Sequence, residues 1–162
     1  MNAITLIKTT AISLCFALLF SACDKPVDSE PATKTKAIPT LNNKNLKAFI
    51  YTLSQDYMKS SSNLLTAFNV YKKSGDSFGF IQFRNHKWTP AYIEKKNYYQ
   101  AVYKQNKAYI TNNNLSPLFL AYENLIYIGI NLKNSLLDKN NDLEKEALRS
   151  LEEDRAIFDK VS

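Results

Sequence analysis

The chain has few of the residues that most active sites and cross-linked folds require. Its 162 residues include 2 cysteines, 1 histidine, 3 glycines and 5 prolines. Both cysteines, Cys15 and Cys23, lie near the start, which excludes a disulfide-stapled fold and a multi-cysteine metal site. The lone His86 has no second ligand at a suitable spacing, so we expect no metal and no cofactor. The scarcity of glycine and proline argues against an all-β fold, which needs a turn about every ten residues.

What the chain does contain favours one folded, basic domain. Hydrophobic residues make up 45% of it, too much for wholesale disorder, and the formal net charge is +6. The charge is unevenly divided, because residues 24–133 carry most of the excess lysine whereas residues 134–162 are acidic overall. An acidic last helix beside a basic second helix would favour antiparallel pairing, although each exposed ion pair is worth only a few tenths of a kcal/mol.

The first 23 residues have the pattern of a secretory signal peptide. Lys8 is the one charged residue of this segment, and the uncharged run TTAISLCFALLF follows it from Thr9 to Phe20. Small residues then precede a sharp change to polar sequence. Twelve residues rise only about 18 Å as a helix, whereas the hydrocarbon core of a bilayer is about 30 Å thick. The run is therefore too short for a permanent transmembrane helix.

The end of this segment, Phe20-Ser21-Ala22-Cys23, resembles the lipobox of bacterial lipoproteins. The resemblance implies removal of residues 1–22 by cleavage between Ala22 and Cys23, and acylation of Cys23. Two or more acyl chains anchor a protein stably in a membrane. Asp24 resembles the inner-membrane retention signal of enterobacterial lipoproteins. These likenesses imply a bacterial envelope protein that faces the periplasm, with the inner membrane slightly favoured over the outer.

The rest of the chain divides into a tether and a helical domain. Residues 23–45 are rich in Pro, Ser, Thr, Lys and Asn, which is typical of a flexible linker. From Leu46 onward apolar residues recur at helical spacing, and Gly75 is a suitable C-cap. Thr89-Pro90, Ser116-Pro117 and Asp142 mark three further helix starts. We therefore predict an all-α fold over residues 46–162, a three- to four-helix antiparallel bundle with an irregular aromatic loop at 77–88 between helices 1 and 2.

One cluster in that loop is a candidate partner-binding site. Arg84, His86, Lys87 and Trp88 bring the single Trp and single His together with two cations, and Tyr98 on the next helix is expected to be exposed. Trp and Arg are favoured anchors of protein interfaces. In the alternative interpretation, Trp88 closes the end of the bundle while its charged neighbours remain solvated.

Two other patterns are weaker candidates. The acidic run Glu152-Glu153-Asp154 lies beside Arg149 and Arg155, and we expect it to face solvent in i,i+4 surface pairs rather than to act in catalysis. The tyrosines between positions 92 and 109 alternate with lysines, a composition that also occurs in single-strand nucleic-acid sites. Export across the membrane argues against nucleic acid, and a basic face on anionic lipid fits better.

No nucleophile–base pair is apparent, so the sequence does not indicate an enzyme. The leading hypothesis is a membrane-anchored envelope lipoprotein whose non-catalytic helical domain binds an envelope or toxin protein. A narrower version is an immunity or inhibitor lipoprotein that neutralises a toxin or a cell-wall enzyme. The alternative is a structural or lipid-surface component that acts through its anchor and its basic charge.

Overall fold

A computed structural model describes residues 37–161, and long helices fill most of that range. The helices are α1 (Leu46–Ser74), α2 (Ser77–Phe83), α3 (Thr89–Gln105), α4 (Lys107–Asn112), α5 (Ser116–Asp138) and α6 (Asn141–Asp159), with a π-helical turn at Arg84–Trp88. Between positions 37 and 161 no residue is in a strand, so the predicted all-α helical bundle is confirmed. The predictions for the signal peptide, Ala22, Cys23 and Asp24 concern residues that lie outside the described range.

Helices α1 and α5 form the central pair of the bundle and run parallel to each other. Phe49 of α1 stacks on Phe119 of α5 with ring centres 6.1 Å apart. Further along both helices, Tyr57 meets Tyr122 edge to face, also at 6.1 Å. Helix α5 has buried residues along most of its length, from Leu118 to Ser135.

The other two long segments flank this pair and run antiparallel to it. On one side, Trp88 at the start of the α3 segment bonds to Ser60, and Tyr99 further along α3 bonds to the earlier Asp56. On the other side, Glu144 near the start of α6 pairs with Lys72 near the end of α1. We expected the acidic last helix to lie beside the basic second helix, but the helices packed on α6 are α5 and α1.

The segment at 77–88 is helical, and our prediction of an irregular aromatic loop is wrong. Asp76 accepts a hydrogen bond from the Gly79 backbone N–H at 2.7 Å and so caps a new helix directly after Gly75, whose φ of 72° ends α1 as predicted. The buried residues Phe80, Arg84 and Trp88 then recur every four positions, a helical spacing that aromatic alternation concealed.

Helix α3 begins at Thr89 with Pro90 in its first turn, as predicted, but Thr89 is not its N-cap, because a π-helical turn at Arg84–Trp88 leads directly into the helix. Proline lacks an N–H, and its ring collides with the carbonyl group four residues earlier in a regular α-helix. The wider turn at Arg84–Trp88 ends just before Thr89 and includes the carbonyl group four residues before Pro90, which relieves that conflict. The helical backbone is therefore continuous from α2 through the π-helical turn into α3.

The packed domain begins before Leu46, inside the segment predicted to be tether. Leu41 is buried, and its backbone N–H donates to Asn106 Oδ1 at 2.7 Å. The Asn106 amide also donates to the Pro39 carbonyl at 2.9 Å. These contacts fasten residues 39–41 to the junction of α3 and α4, so the linker boundary must lie earlier than position 45.

Two smaller features of the helices complete the fold. The side chain of Asn140, rather than the predicted Asp142, caps α6 by accepting from the backbone N–H groups of Asp142 and Leu143, both at 3.0 Å. The serines at 60–62 do not interrupt α1. No helix within residues 37–161 is long and apolar enough to span a bilayer.

Candidate functional site

The structure divides the predicted cluster at 84–88 into an inner and an outer half. His86 and Lys87 are exposed, whereas Trp88 is buried. Its indole N–H donates to the Ser60 carbonyl at 2.9 Å, and its ring stacks on Tyr92 with centres 4.9 Å apart. Trp88 is therefore a core residue at mid-bundle, not a surface anchor and not a plug at the bundle end.

Both interpretations of the cluster expect an accessible Arg84 side chain, but it is only 8% exposed. Nη1 donates to Asn85 Oδ1 at 2.9 Å, and the buried Nε has no hydrogen-bond partner within the described residues. Burial lowers the pKa of the guanidinium. Tyr98, expected to be exposed, is half-buried and meets Tyr99 edge to face at 5.2 Å. The predicted site residues thus do not form one accessible surface.

The α3 side of the bundle is a closed layer of aromatic rings. Trp88, Tyr92 and Tyr122 stack in sequence, the two tyrosine rings being 5.7 Å apart and nearly parallel. Tyr92 donates to the Tyr122 carbonyl at 2.6 Å, and Tyr99 donates to Asp56 Oδ2 at 2.7 Å. Lys95 also pairs with Asp56. Burial raises the pKa values of Tyr92 and Tyr99 far above the usual value of 10.0, so both stay protonated.

The α6 side differs, because a shallow groove of about 450 Å³ opens between α5 and α6. Its apolar rim includes Leu120 and Tyr127 of α5, whose side chains are 63% and 64% exposed. Single exposed apolar side chains are common, but these two lie two turns apart on one face of α5 and line the same groove. The full lining is Pro117, Leu120, Ala121, Glu123, Asn124, Tyr127, Asp154 and Ile157. We call this feature the α5–α6 groove.

The most buried acidic group of the groove is Asp154, which is 8% exposed. Asn124 Nδ2 donates to Asp154 Oδ2 at 2.9 Å and to Ser150 Oγ at 3.0 Å. Burial, and then the nearby charge of Glu153, raises the pKa of the Asp154 carboxyl group above its ordinary value of 3.8. We expected the whole run 152–154 to face solvent. Glu152 and Glu153 do, but Asp154 does not.

The surroundings of Asp154 leave its charge poorly compensated. The adjacent Arg155 is directed elsewhere, since its Nη2 donates to Ser61 Oγ at 3.3 Å and to Ser62 Oγ at 3.2 Å. The buried Tyr57 hydroxyl lies beside Asp154 and partly offsets the rise in the pKa of that carboxyl group, although the pair does not meet regular hydrogen-bond geometry. An ionised carboxylate offers about four acceptor positions, so Asp154 keeps unused capacity toward the groove.

The groove therefore combines an apolar rim with a buried acceptor, which suits a cationic group carried on an apolar stem. A second concavity of about 300 Å³ is lined by Asp142, Lys145, Glu146 and Arg149 of α6 alone, and its lysine and aspartate are already ion-paired. Within residues 37–161 no group of three or more His, Cys, Asp or Glu side chains is placed to hold a metal ion.

Sequence reasoning missed the groove, although a signal for it exists. Pro117, Leu120, Asn124 and Tyr127 are spaced 3, 4 and 3, which defines a second stripe on α5 beside its core-facing one. The burial of Asp154 depends on how α6 packs on α5, which no local pattern reveals.

No family model, no curated protein and no solved structure matches this chain. The described residues form an all-α bundle with a groove between its last two helices, and the groove is the feature of this geometry that suggests a function.

Proposed function

We propose that this chain is a lipid-anchored envelope protein whose non-catalytic helical domain binds another protein through the α5–α6 groove. The observation that carries the proposal is the placing of two exposed apolar side chains, Leu120 and Tyr127, beside the buried carboxylate of Asp154. The resemblance of residues 20–23 to a lipobox supports the anchor at Cys23 and the periplasmic location.

The shape and chemistry of the groove favour a protein partner. Apolar and aromatic side chains around a desolvated polar group are the usual composition of an interface centre. The groove is shallow, as expected for a surface that meets a convex side chain rather than one that encloses a small molecule. A partner in the envelope would meet it directly if Cys23 holds the domain at the membrane.

The charge of the groove identifies the side chain that the partner contributes. Asp154 and Glu123 both line it, and no cation does. Glu123 accepts from Gln100 at 3.0 Å and Asp154 accepts from Asn124 at 2.9 Å, but Asp154 is the more buried of the two, so its charge gains more from a cationic partner. We therefore expect a Lys or Arg of the partner to reach Asp154 while apolar neighbours cover Leu120 and Tyr127. An immunity or inhibitor lipoprotein facing a basic segment of a toxin or cell-wall enzyme is one form of this proposal.

Site-specific photo-crosslinking in living cells tests the groove. A benzophenone amino acid placed at Leu120 or Tyr127 should give one discrete adduct, and Asp154→Asn should abolish it. The same amino acid at Val70 or Phe78, which are similarly exposed but lie outside the groove, provides the matched control. Adducts that appear equally at all four positions, or that survive Asp154→Asn, would refute the assignment of the groove.

The anchor is tested separately. The full-length chain with Cys23→Ser should remain uncleaved and take up no labelled palmitate, whereas Cys15→Ser should be processed normally because Cys15 lies within the predicted signal peptide. If the Cys23 variant is processed and acylated like the parent chain, the lipoprotein assignment is wrong.

A further inference from the structure

Two stretches of the chain that contain no acidic residue meet at one corner of the bundle. Residues 37–55 and 97–118 contain lysines at 44, 47, 104 and 107 but no Asp or Glu. Tyr109 donates to Asn43 Oδ1 at 2.7 Å and Gln105 Nε2 donates to Thr40 Oγ1 at 3.3 Å, which brings the two stretches together. All four lysines are exposed. We call this surface the lysine corner.

The same corner is where the chain enters the domain from its N-terminal segment. Asn106 binds both Pro39 and Leu41, so the first described residues leave the bundle beside Lys104 and Lys107. A membrane anchor on the N-terminal segment would therefore connect to the domain at this corner. The point at which the chain enters the domain is an observation independent of the corner's charge.

The opposite end of the bundle lacks this excess of positive charge. Helix α1 has 29 residues and is thus about 43 Å long, which places its two ends far apart. At the far end, Lys72 pairs with Glu144 and Lys145 pairs with Asp142. At the lysine corner, none of the four lysines has an ion-pair partner among the described residues.

The lysines of the corner are not explained by the stability of the helices. Lys47 lies in the first turn of α1, which contains no acidic residue. A cation there opposes the helix dipole and is mildly unfavourable. Tyr51, one turn later on the same side of α1, is 62% exposed, and an amphipathic ring of this kind is typical of the membrane–water interface.

We infer that the lysine corner binds the phosphate groups of anionic lipids and so docks the domain against the bilayer in one orientation. The inference rests on the membrane anchor of the proposed function but not on the α5–α6 groove. Each lysine near an anionic surface strengthens binding by about fivefold, equivalent to about 1 kcal/mol. Four lysines acting together therefore make a substantial contribution, which salt should weaken.

The experiment uses the unlipidated chain of residues 24–162, which contains all of the buried core side chains found between Leu41 and Phe158. Its binding to vesicles of phosphatidylcholine with phosphatidylglycerol is measured against vesicles of phosphatidylcholine alone. The test variant changes Lys44, Lys47, Lys104 and Lys107 to Gln. The matched control changes four exposed lysines elsewhere to Gln, namely Lys59, Lys73, Lys139 and Lys145. Both lose the same net charge, and circular dichroism verifies that both fold.

The parent chain should bind the anionic vesicles and not the neutral ones, and soluble inorganic phosphate at equal anion concentration should compete poorly. The test variant should lose more than about 25-fold in binding, the effect of two lysines at about fivefold each, and the control less than about fivefold. Equal losses in the two variants, or no binding by the parent chain, would overturn the inference. If the quadruple test variant does not fold, the pairs Lys44/Lys47 and Lys104/Lys107 are changed separately, and each should lose at least about fivefold.

These tests can refute the lipoprotein assignment and the lysine corner separately. A chain that binds anionic vesicles through the corner but takes up no palmitate refutes the lipoprotein assignment alone. A chain that is acylated at Cys23 but shows equal losses in the two variants refutes the lysine corner alone.

Discussion

The two sides of the central α1–α5 pair differ in how fully they are closed. On the α3 side, Trp88, Tyr92 and Tyr99 each donate a hydrogen bond of 2.6–2.9 Å to a defined acceptor. On the α6 side, the surface opens into the α5–α6 groove with its buried carboxylate. Each side keeps one buried tyrosine hydroxyl without a regular hydrogen bond to a described atom, that of Tyr122 on the α3 side and that of Tyr57 on the α6 side. The difference therefore lies in the open groove and its carboxylate, not in the tyrosine hydroxyls.

The largest expected effect comes from removing the centre of the closed layer. Trp88→Ala deletes a buried ring that stacks on Tyr92, and such truncations cost about 3–5 kcal/mol. The loss also leaves the Ser60 carbonyl without its donor. Urea denaturation followed by circular dichroism measures the change in the free energy of unfolding.

Phe78→Ala is the control for this substitution, because Phe78 is 69% exposed and lies outside the stacked layer. We expect a change within about 0.5 kcal/mol, as for most surface positions. A similar loss in both variants would mean that Trp88 is not the centre of a tightly packed layer.

The next largest effect distinguishes the tyrosine hydroxyls on the two sides. Tyr99→Phe removes a donor to the Asp56 carboxylate and should cost about 1.5–3 kcal/mol, as hydrogen bonds to charged groups do. Tyr57→Phe removes a hydroxyl that lies near Asp154 without a hydrogen bond of regular geometry and should cost less than about 1 kcal/mol. The free energies of unfolding of the two variants are measured side by side. Equal losses would mean that the Tyr99 and Tyr57 hydroxyls contribute equally to stability.

Much of the fold could be predicted from the sequence, because local signals determine most of the helix ends. Gly75 in a left-handed conformation and the proline after Ser116 act as expected. The aromatic alternation at 77–88 misled the prediction of an irregular loop. The cap at Asp76 and the four-residue spacing of the buried residues are the signals that indicate a helix there. The docking of Leu41 was missed because it depends on Asn106, 65 residues later in the chain.

The candidate site was harder to predict than the fold. Sequence reasoning selected rare residue types, Trp88 and His86, but rarity does not indicate exposure. Trp88 and Arg84 are buried, and the groove is instead formed by common residues such as Leu120. Exposure and burial are results of how α5 and α6 pack, which an apolar pattern within one helix does not specify.

A smaller, pH-dependent effect tests the groove side. The pKa of Asp154 is raised in the folded protein, so the folded state holds this proton more tightly than the unfolded state does. The contribution of Asp154 to stability is therefore favourable at low pH and is lost as the pH rises from 3.8 through the raised value. Asp154→Asn, which keeps an acceptor for Asn124, should be more stable than the parent chain at neutral pH.

The advantage of Asp154→Asn should shrink as the pH is lowered, because the parent carboxyl group then becomes neutral as well. Urea unfolding of both proteins between pH 4 and 7 measures this difference, in which the titration of all other groups cancels. Glu152→Gln, at an exposed carboxylate of the same helix, is the control for the loss of one negative charge from α6. An advantage of Asp154→Asn that grows on acidification would contradict the burial of an ionised Asp154.

The smallest expected effect concerns the ion pair that joins α6 to α1. Lys72 Nζ lies 2.5 Å from Glu144 Oε1, but the lysine side chain is 45% exposed, so solvent screens the pair. Lys72→Gln should cost only about 0.2–1 kcal/mol in the free energy of unfolding and less at high salt. Lys73→Gln, at the adjacent lysine with no ion-pair partner among the described residues, is the control. A loss above about 2 kcal/mol for Lys72→Gln would show that this ion pair, rather than apolar packing, holds α6 against α1. The open groove on the α6 side would then depend on an ion pair between residues that are far apart in the chain.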